Sequence, residues 1–148
     1  MIAETGRNIY EVKNLLERGD VVAIPTETVY GLAGNALNPE AVSKIFTVKN
    51  RPTFDPLIIH VSGITEIEKY TQNFPEKFSQ LALEYMPGPL TFLLEKKNII
   101  PDIVTSGLEK VAVRIPDHIL TLELLKNLDF PLAAPSANPF GYVSPTSA

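Results

Sequence analysis

The chain has 148 residues, with 17 acidic and 13 basic side chains and a formal net charge of −4. That is the size of one domain with its own core, and 45% hydrophobic with 20% charged residues excludes intrinsic disorder and a coiled coil. The absence of cysteine excludes disulfides, thiol nucleophiles and cysteine-ligated metals, and two histidines, His60 and His118, exclude a multi-histidine site.

The elements follow in chain order. Asn8 is placed to cap a first helix with Glu11 as capping-box partner, and Ile9, Val12, Leu15 and Leu16 share its apolar face. Gly19 is a natural stop. Val21–Ile24 reads as a short buried strand ended by Pro25, and Thr26 to Gly34 as a loop. Asn38-Pro39 opens a second helix with Ala41, Val42, Ile45 and Phe46 as its stripe, running out near Lys49 before Asn50-Arg51-Pro52. Leu57–Val61 is a strand and Ile64–Tyr70 a short helix. Pro75 begins another helix, with Phe78, Leu81, Ala82, Tyr85 and Met86 inward, and Pro87-Gly88-Pro89 breaks it. Leu90–Leu94 and Val111–Ile115 are strands. Asp117 is placed to cap a helix carrying Leu120, Leu124, Leu125 and Leu128, and Pro131–Ala134 is a last strand. This alternation argues for a layered α/β domain.

No apolar run approaches the ~18 residues of a membrane span, and Met1–Asp20 lacks the basic-then-apolar pattern of a signal peptide. A cytoplasmic protein is expected. The acidic total excludes a strongly basic coat for nucleic acid, although not a local basic patch.

Three apolar runs end alike, in strand, proline and polar side chain: Ile24-Pro25-Thr26, Ile115-Pro116-Asp117 and Ala134-Pro135-Ser136. Ligands of open α/β sheets bind in loops beyond strand ends, so the three together suggest one shared rim. The common phosphate and hydrolase devices are missing: there is no G-x-x-x-x-G-K-S/T loop, G-x-G-x-x-G fingerprint, G-x-S-x-G elbow or H-E-x-x-H. Candidate chemistry therefore rests on scattered side chains. Lys49-Asn50-Arg51 pairs a compact charge with a planar fork suited to phosphate, although such a pair also suits a helix C-terminus. Arg114 lies in an apolar strand, on the face of Ala112 and opposite Val113 and Ile115, where it needs a carboxylate partner or a ligand. Ser136 and Asn138, and likewise Thr26, Glu27 and Thr28, fit either a ligand or turn chemistry. Ser144-Pro145-Thr146 is either ligand loop or helix cap.

Taken together, these segments resemble the YrdC-like family, the L-threonylcarbamoyladenylate synthases. The matching pieces are Pro25 to Leu32, Lys49-Asn50-Arg51-Pro52 with Pro56-Leu57 and His60, Pro87 to Thr91, Val111 to Arg114, and Pro135 to Asn138, in family order over essentially the whole chain. The resemblance implies a twisted mixed α/β sheet with flanking helices, the YrdC-like (DHBP synthase-like) fold, and a concave basic cavity. It implies a nucleotidyltransferase reaction in which L-threonine, bicarbonate or CO2, and ATP give threonylcarbamoyl-AMP and pyrophosphate. That product feeds the N6-threonylcarbamoyl modification of tRNA adenosine 37 (t6A37). By the same resemblance Lys49 and Arg51 are catalytic and hold ATP phosphates, assisted by Mg²⁺. Ser136, Asn138 and Ser144 position the nucleotide, and Thr26, His60 and Arg114 bind threonine. ATP is substrate rather than resident cofactor, and tRNA and other t6A-pathway proteins are the implied partners. The chain ends before the family's S-T-I/V strand and R-P-G segment, so a YrdC-like domain over 1–148, incomplete at its C-terminal end, is expected. Two alternatives stay open: an RNA-binding module without catalysis, and the carbamoyl-adenylating domain related to hydrogenase maturation.

Overall fold

The computed structural model describes residues 4–147. Seven strands form one mixed sheet: β1 (Val22–Ile24), β2 (Gly31–Asn35), β3 (Ile58–His60), β4 (Thr71–Gln72), β5 (Phe92–Lys96), β6 (Lys110–Arg114) and β7 (Leu132–Ala133). Their order is β1-β2-β7-β3-β6-β5-β4. The β3–β6 pair is parallel and the others are antiparallel. The helices are α1 (Ile9–Glu17), α2 (Pro39–Lys49), α3 (Ile64–Tyr70), α4 (Phe78–Tyr85), α5 (Asp102–Thr105) and α6 (Ile119–Lys126). The α/β class and the flanking helices expected from the sequence are both present.

Capping chemistry sets the helix that matters most for the site. Asn38 Oδ1 accepts from the backbone N–H of Glu40 and Ala41, and Pro39 supplies the first turn of α2. Ala41, Val42, Ile45 and Phe46 are buried along one stripe. Asn50 takes a left-handed conformation (φ 50°) and turns the chain out of the helix. Lys49 thus ends α2, and Arg51 opens the turn beyond it. In α1, Asn8 Oδ1 accepts from Tyr10 and Glu11 N–H, and Gly19 takes the positive φ that stops the helix.

Four expectations change. Asp117 does not cap α6; His118 holds that position without a side-chain bond, and the Asp117 N–H donates to Glu27. Leu81 and Tyr85 are 36% and 51% exposed, because α4 turns only Phe78, Ala82 and the following Met86 inward. Thr71–Gln72 and Asp102–Thr105 form short elements that had not been expected. Finally, the supposed loop through Gly34 contains β2. A strand with two glycines reads as a turn, but here each glycine admits a close neighbour. A Cβ on Gly34 would lie 3.3 Å from Ile45 of α2, and one on Gly31 would lie 3.4 Å from Ala134.

The sheet has two unlike faces. On one, Ile59, Val111, Val113, Leu94 and Ala133 join Val42, Ile45 and Phe46 of α2, Ile67 of α3, Ala82 of α4 and Val104 of α5 in the main core. On the other, Leu16 of α1 and Leu124 and Leu125 of α6 cover Ile24, Ala33, Leu132 and Ala134. That second cover stops at β7. Farther across, Ile58, Ala112 and Leu93 share a row on β3, β6 and β5, with His60 beside Arg114 in the next row. None of these five residues belongs to either core cluster.

Candidate active site

A cavity of about 350 Å³ opens over this uncovered part of the sheet, a volume within the usual range of small-molecule sites. Five of the eight expected residues line it: Thr26, Arg51, His60, Arg114 and Ser136. Of the three strand–proline–polar runs, those of Thr26 and Ser136 meet at the cavity, whereas Asp117 does not line it and reaches only Glu27, through its backbone N–H.

Arg114 follows the alternation of β6, in which Val111 and Val113 are buried and Ala112 and Arg114 face the cavity side. The carboxylate partner expected for this residue is Glu27, and the residue also lines the cavity. Its Nε donates to the Gly88 carbonyl at 3.1 Å, and its Nη2 donates to Glu27 Oε1 and, at 3.2 Å, to Thr28 Oγ1. Its Nη1 makes no protein hydrogen bond among the described residues. Arg51 is held similarly. Its Nη2 pairs with Asp55 Oδ2 at 2.9 Å and reaches the Pro56 carbonyl, while its guanidinium lies 5.6 Å from the Phe140 ring centre. Each guanidinium in the cavity therefore has a carboxylate beside it.

The remaining three expected residues, Lys49, Asn138 and Ser144, do not line the cavity. Lys49 is 2% exposed, and its Nζ donates to the carbonyls of Ser136 and Asn138. Burial and the neighbouring Arg51 hold its pKa below the usual lysine value. Asn138 is buried; its amide donates to the carbonyls of Pro139 and Tyr142, and its Oδ1 accepts from Ser144 at 3.1 Å. Phe140 N–H donates back to the Lys49 carbonyl. This knot presents Ser136 to the cavity. It engages Lys49, Asn138 and Ser144 in hydrogen bonds within the loop. The reason is burial: an ammonium inside the protein must find acceptors, and loop carbonyls are the acceptors within reach.

His60 is buried, with its Nδ1 lacking a hydrogen-bond partner. Burial, and then the charge of Arg114, push its pKa down to about 4, so the imidazole is neutral near pH 7. Thr26 Oγ1 closes its own turn, accepting from the N–H groups of Thr28 and Val29 and bonding the Val29 carbonyl at 2.6 Å. The walls also include residues outside the set expected from the sequence: Thr28, Val29, Gly31, Pro56, Leu57, Ile58, Ala134 and Pro135. Most adjoin a motif, and that adjacency was the available signal.

The family model Sua5_yciO_yrdC, described as "Telomere recombination", matches residues 14–148. The chain belongs to this family. It is 47% identical over 133 residues to the threonylcarbamoyl-AMP synthase of Pyrococcus abyssi, covering 90% of this chain and 39% of that one. It is 48% identical over 141 residues to the Bacillus subtilis threonylcarbamoyl-AMP synthase, covering 95% and 41%. The crystal structure of P. abyssi Sua5 complexed with L-threonine superposes with a TM-score of 0.93 at 44% identity, over 99% of this chain and 43% of that one. The chain thus spans about two fifths of the length of these Sua5–YrdC relatives.

A resident Mg²⁺ does not fit this family member's cavity. No carboxylate lines it, and among the described residues no three His, Asp or Glu side chains cluster as metal ligands. No described helix is long and apolar enough to cross a membrane.

Two outcomes follow for the isolated chain. Lys49→Met removes the donor for two loop carbonyls and should destabilise the fold by about 2–4 kcal/mol in urea unfolding, whereas Lys13→Met, which loses only a half-exposed pair with Glu17 on α1, should cost about 0.5 kcal/mol or less. A loss under 0.5 kcal/mol for Lys49→Met rejects the brace. His60 gives a pH signature. Its folded pKa lies below the unfolded value, so the unfolded chain binds the proton first. Stability is complete above about pH 6.5 and falls by roughly 3 kcal/mol toward pH 4. In a His60→Gln variant, urea unfolding should show a shallower fall over that window; an identical slope contradicts a buried neutral imidazole.

Proposed function

We propose that this cavity forms L-threonylcarbamoyl-AMP and pyrophosphate from L-threonine, bicarbonate or CO2, and ATP. One observation carries the reading: two ion-paired guanidiniums, Arg51 and Arg114, and a neutral imidazole line a single cavity on the uncovered part of the sheet. The likeness to a chain crystallised with L-threonine supports it.

In this reading the neutral threonine amine adds to the carbon of CO2 and releases a proton to water, and an oxygen of the resulting carbamate attacks the α-phosphorus of ATP. The bond from that phosphorus to the leaving pyrophosphate breaks. Arg114 offers its uncommitted Nη1 edge to the threonine carboxylate, and His60 and Thr26 wall that end of the cavity. Arg51 takes phosphate oxygens, on which charge builds. Ser136 contacts the nucleotide, and Lys49, Asn138 and Ser144 act through the loop that holds it. No side chain needs to act as nucleophile; orientation and electrostatic stabilisation supply the rate. Mg²⁺ enters with the ATP phosphates as part of the substrate. Transfer of the product toward tRNA, and a cytoplasmic location, follow from the same reading.

The test is threonine-dependent pyrophosphate release by this chain, with a chain extended to its relatives' full length in parallel. Arg51→Ala should cut turnover by about 100-fold or more, and Arg114→Lys, which keeps the charge and loses the planar fork, should raise the KM for threonine, with circular dichroism reporting the fold of each variant. Unchanged kinetics in both variants, or release independent of threonine, rejects the assignment.

A further inference from the structure

The Thr26-Glu27-Thr28 segment contains one residue that the proposed reaction leaves without a task. Thr26 and Thr28 line the cavity and Glu27 does not. Both carboxylate oxygens of Glu27 are nevertheless occupied. Oε1 accepts from Arg114 Nη2, and Oε2 accepts from the Asp117 backbone N–H at 3.0 Å. These partners lie 87 and 90 positions along the chain, at the end of β6 and in the turn that follows it. Glu27 is anchored on its own side too, because Thr26 Oγ1 ties together Thr28 and Val29. The Arg114 guanidinium and the backbone N–H groups hold the Glu27 carboxyl below its usual pKa although burial pushes it up, so the carboxylate stays charged.

A guanidinium is planar, and its hydrogen bonds point in fixed directions. The Gly88 carbonyl fixes Arg114 at Nε, while Glu27 and Thr28 fix it at Nη2. With Nε and Nη2 committed to these partners, Nη1 is the nitrogen left for a ligand. We infer that Glu27 is a positioning residue that locks the Arg114 guanidinium in one orientation, and so sets how tightly the cavity holds the carboxylate of an amino-acid ligand that Glu27 itself does not touch. This rests on the reading that threonine occupies the cavity. The gain is pre-organisation: the orienting entropy is lost on folding rather than on binding.

Three variants separate orientation from charge. Glu27→Ala removes the bonds to Arg114 Nη2 and to the Asp117 N–H and leaves Arg114 with only the Gly88 carbonyl and Thr28. Glu27→Gln keeps one acceptor for Arg114 and loses the charge. Glu27→Asp keeps the charge and loses the reach. Titration calorimetry with L-threonine should show about tenfold weaker binding for Glu27→Ala and Glu27→Asp and a loss of about threefold or less for Glu27→Gln, with ATP affinity within twofold throughout. Threonine affinity unchanged in Glu27→Ala, or ATP affinity falling in parallel, overturns the inference. A second arm needs no ligand. In nitrogen-15 NMR spectra of the free protein, the Arg114 side-chain signals should be resolved in the parent and in Glu27→Gln but averaged by rotation in Glu27→Ala. Identical Arg114 signals in all variants overturn the inference regardless of threonine. If the parent chain binds no threonine, the proposed function fails, and the Arg114 spectra alone decide whether the lock exists.

Discussion

A guanidinium on the uncovered face of an apolar strand has to find partners, because burying an unpaired charge costs more than a small domain's stability can offset. Arg114 finds them in three places: the Gly88 carbonyl after α4, Glu27 and Thr28 in the loop after β1. Those contacts draw segments far apart in sequence to one edge of the sheet. The cavity exists because α1 and α6 cover only the β1, β2 and β7 end of that face, leaving Ile58, His60, Ala112 and Arg114 outside both cores. Packing leaves the space, and the charge organises its walls.

The same logic recurs in the loop that carries Ser136. Lys49 ends a helix whose apolar stripe is fully buried, so its ammonium is carried inside with the stripe. The carbonyls of Ser136 and Asn138 answer it, and Asn138 with Ser144 completes the loop's hydrogen bonding. A satisfied polar network of this kind specifies one loop geometry. Recognition of a small charged ligand requires such rigidity, since a displaced donor loses most of its value in orientation.

Much of this was legible in the residues. The Asn8 and Asn38 caps, the stop at Gly19 and the stripe of α2 follow from local chemistry that tertiary structure does not override. The alternation around Arg114 correctly placed it apart from Val113. The strand at Gly31–Asn35 was not legible, because glycine there serves close packing against Ile45 and Ala134 rather than a turn. The tasks of Lys49, Asn138 and Glu27 were hidden for another reason. A sequence shows that a charge or an amide is present but not what surrounds it, and the partners of Lys49 and Glu27 lie 87 or more positions away. Arg114 could be matched to any of 17 carboxylates on paper, and the fold selects Glu27.

In the proposed reaction L-threonine and ATP meet in one hollow that Arg114 and Arg51 both line. Backbone NMR titration with L-threonine and then ATP tests this most directly. Threonine should shift the amides around Thr26–Gly31, His60 and Arg114, and ATP those around Arg51, Pro56–Ile58 and Ser136, with α3 and α4 silent. Shifts centred on α3 and α4, or the two ligands perturbing surfaces that share no residue of the cavity, would contradict the account.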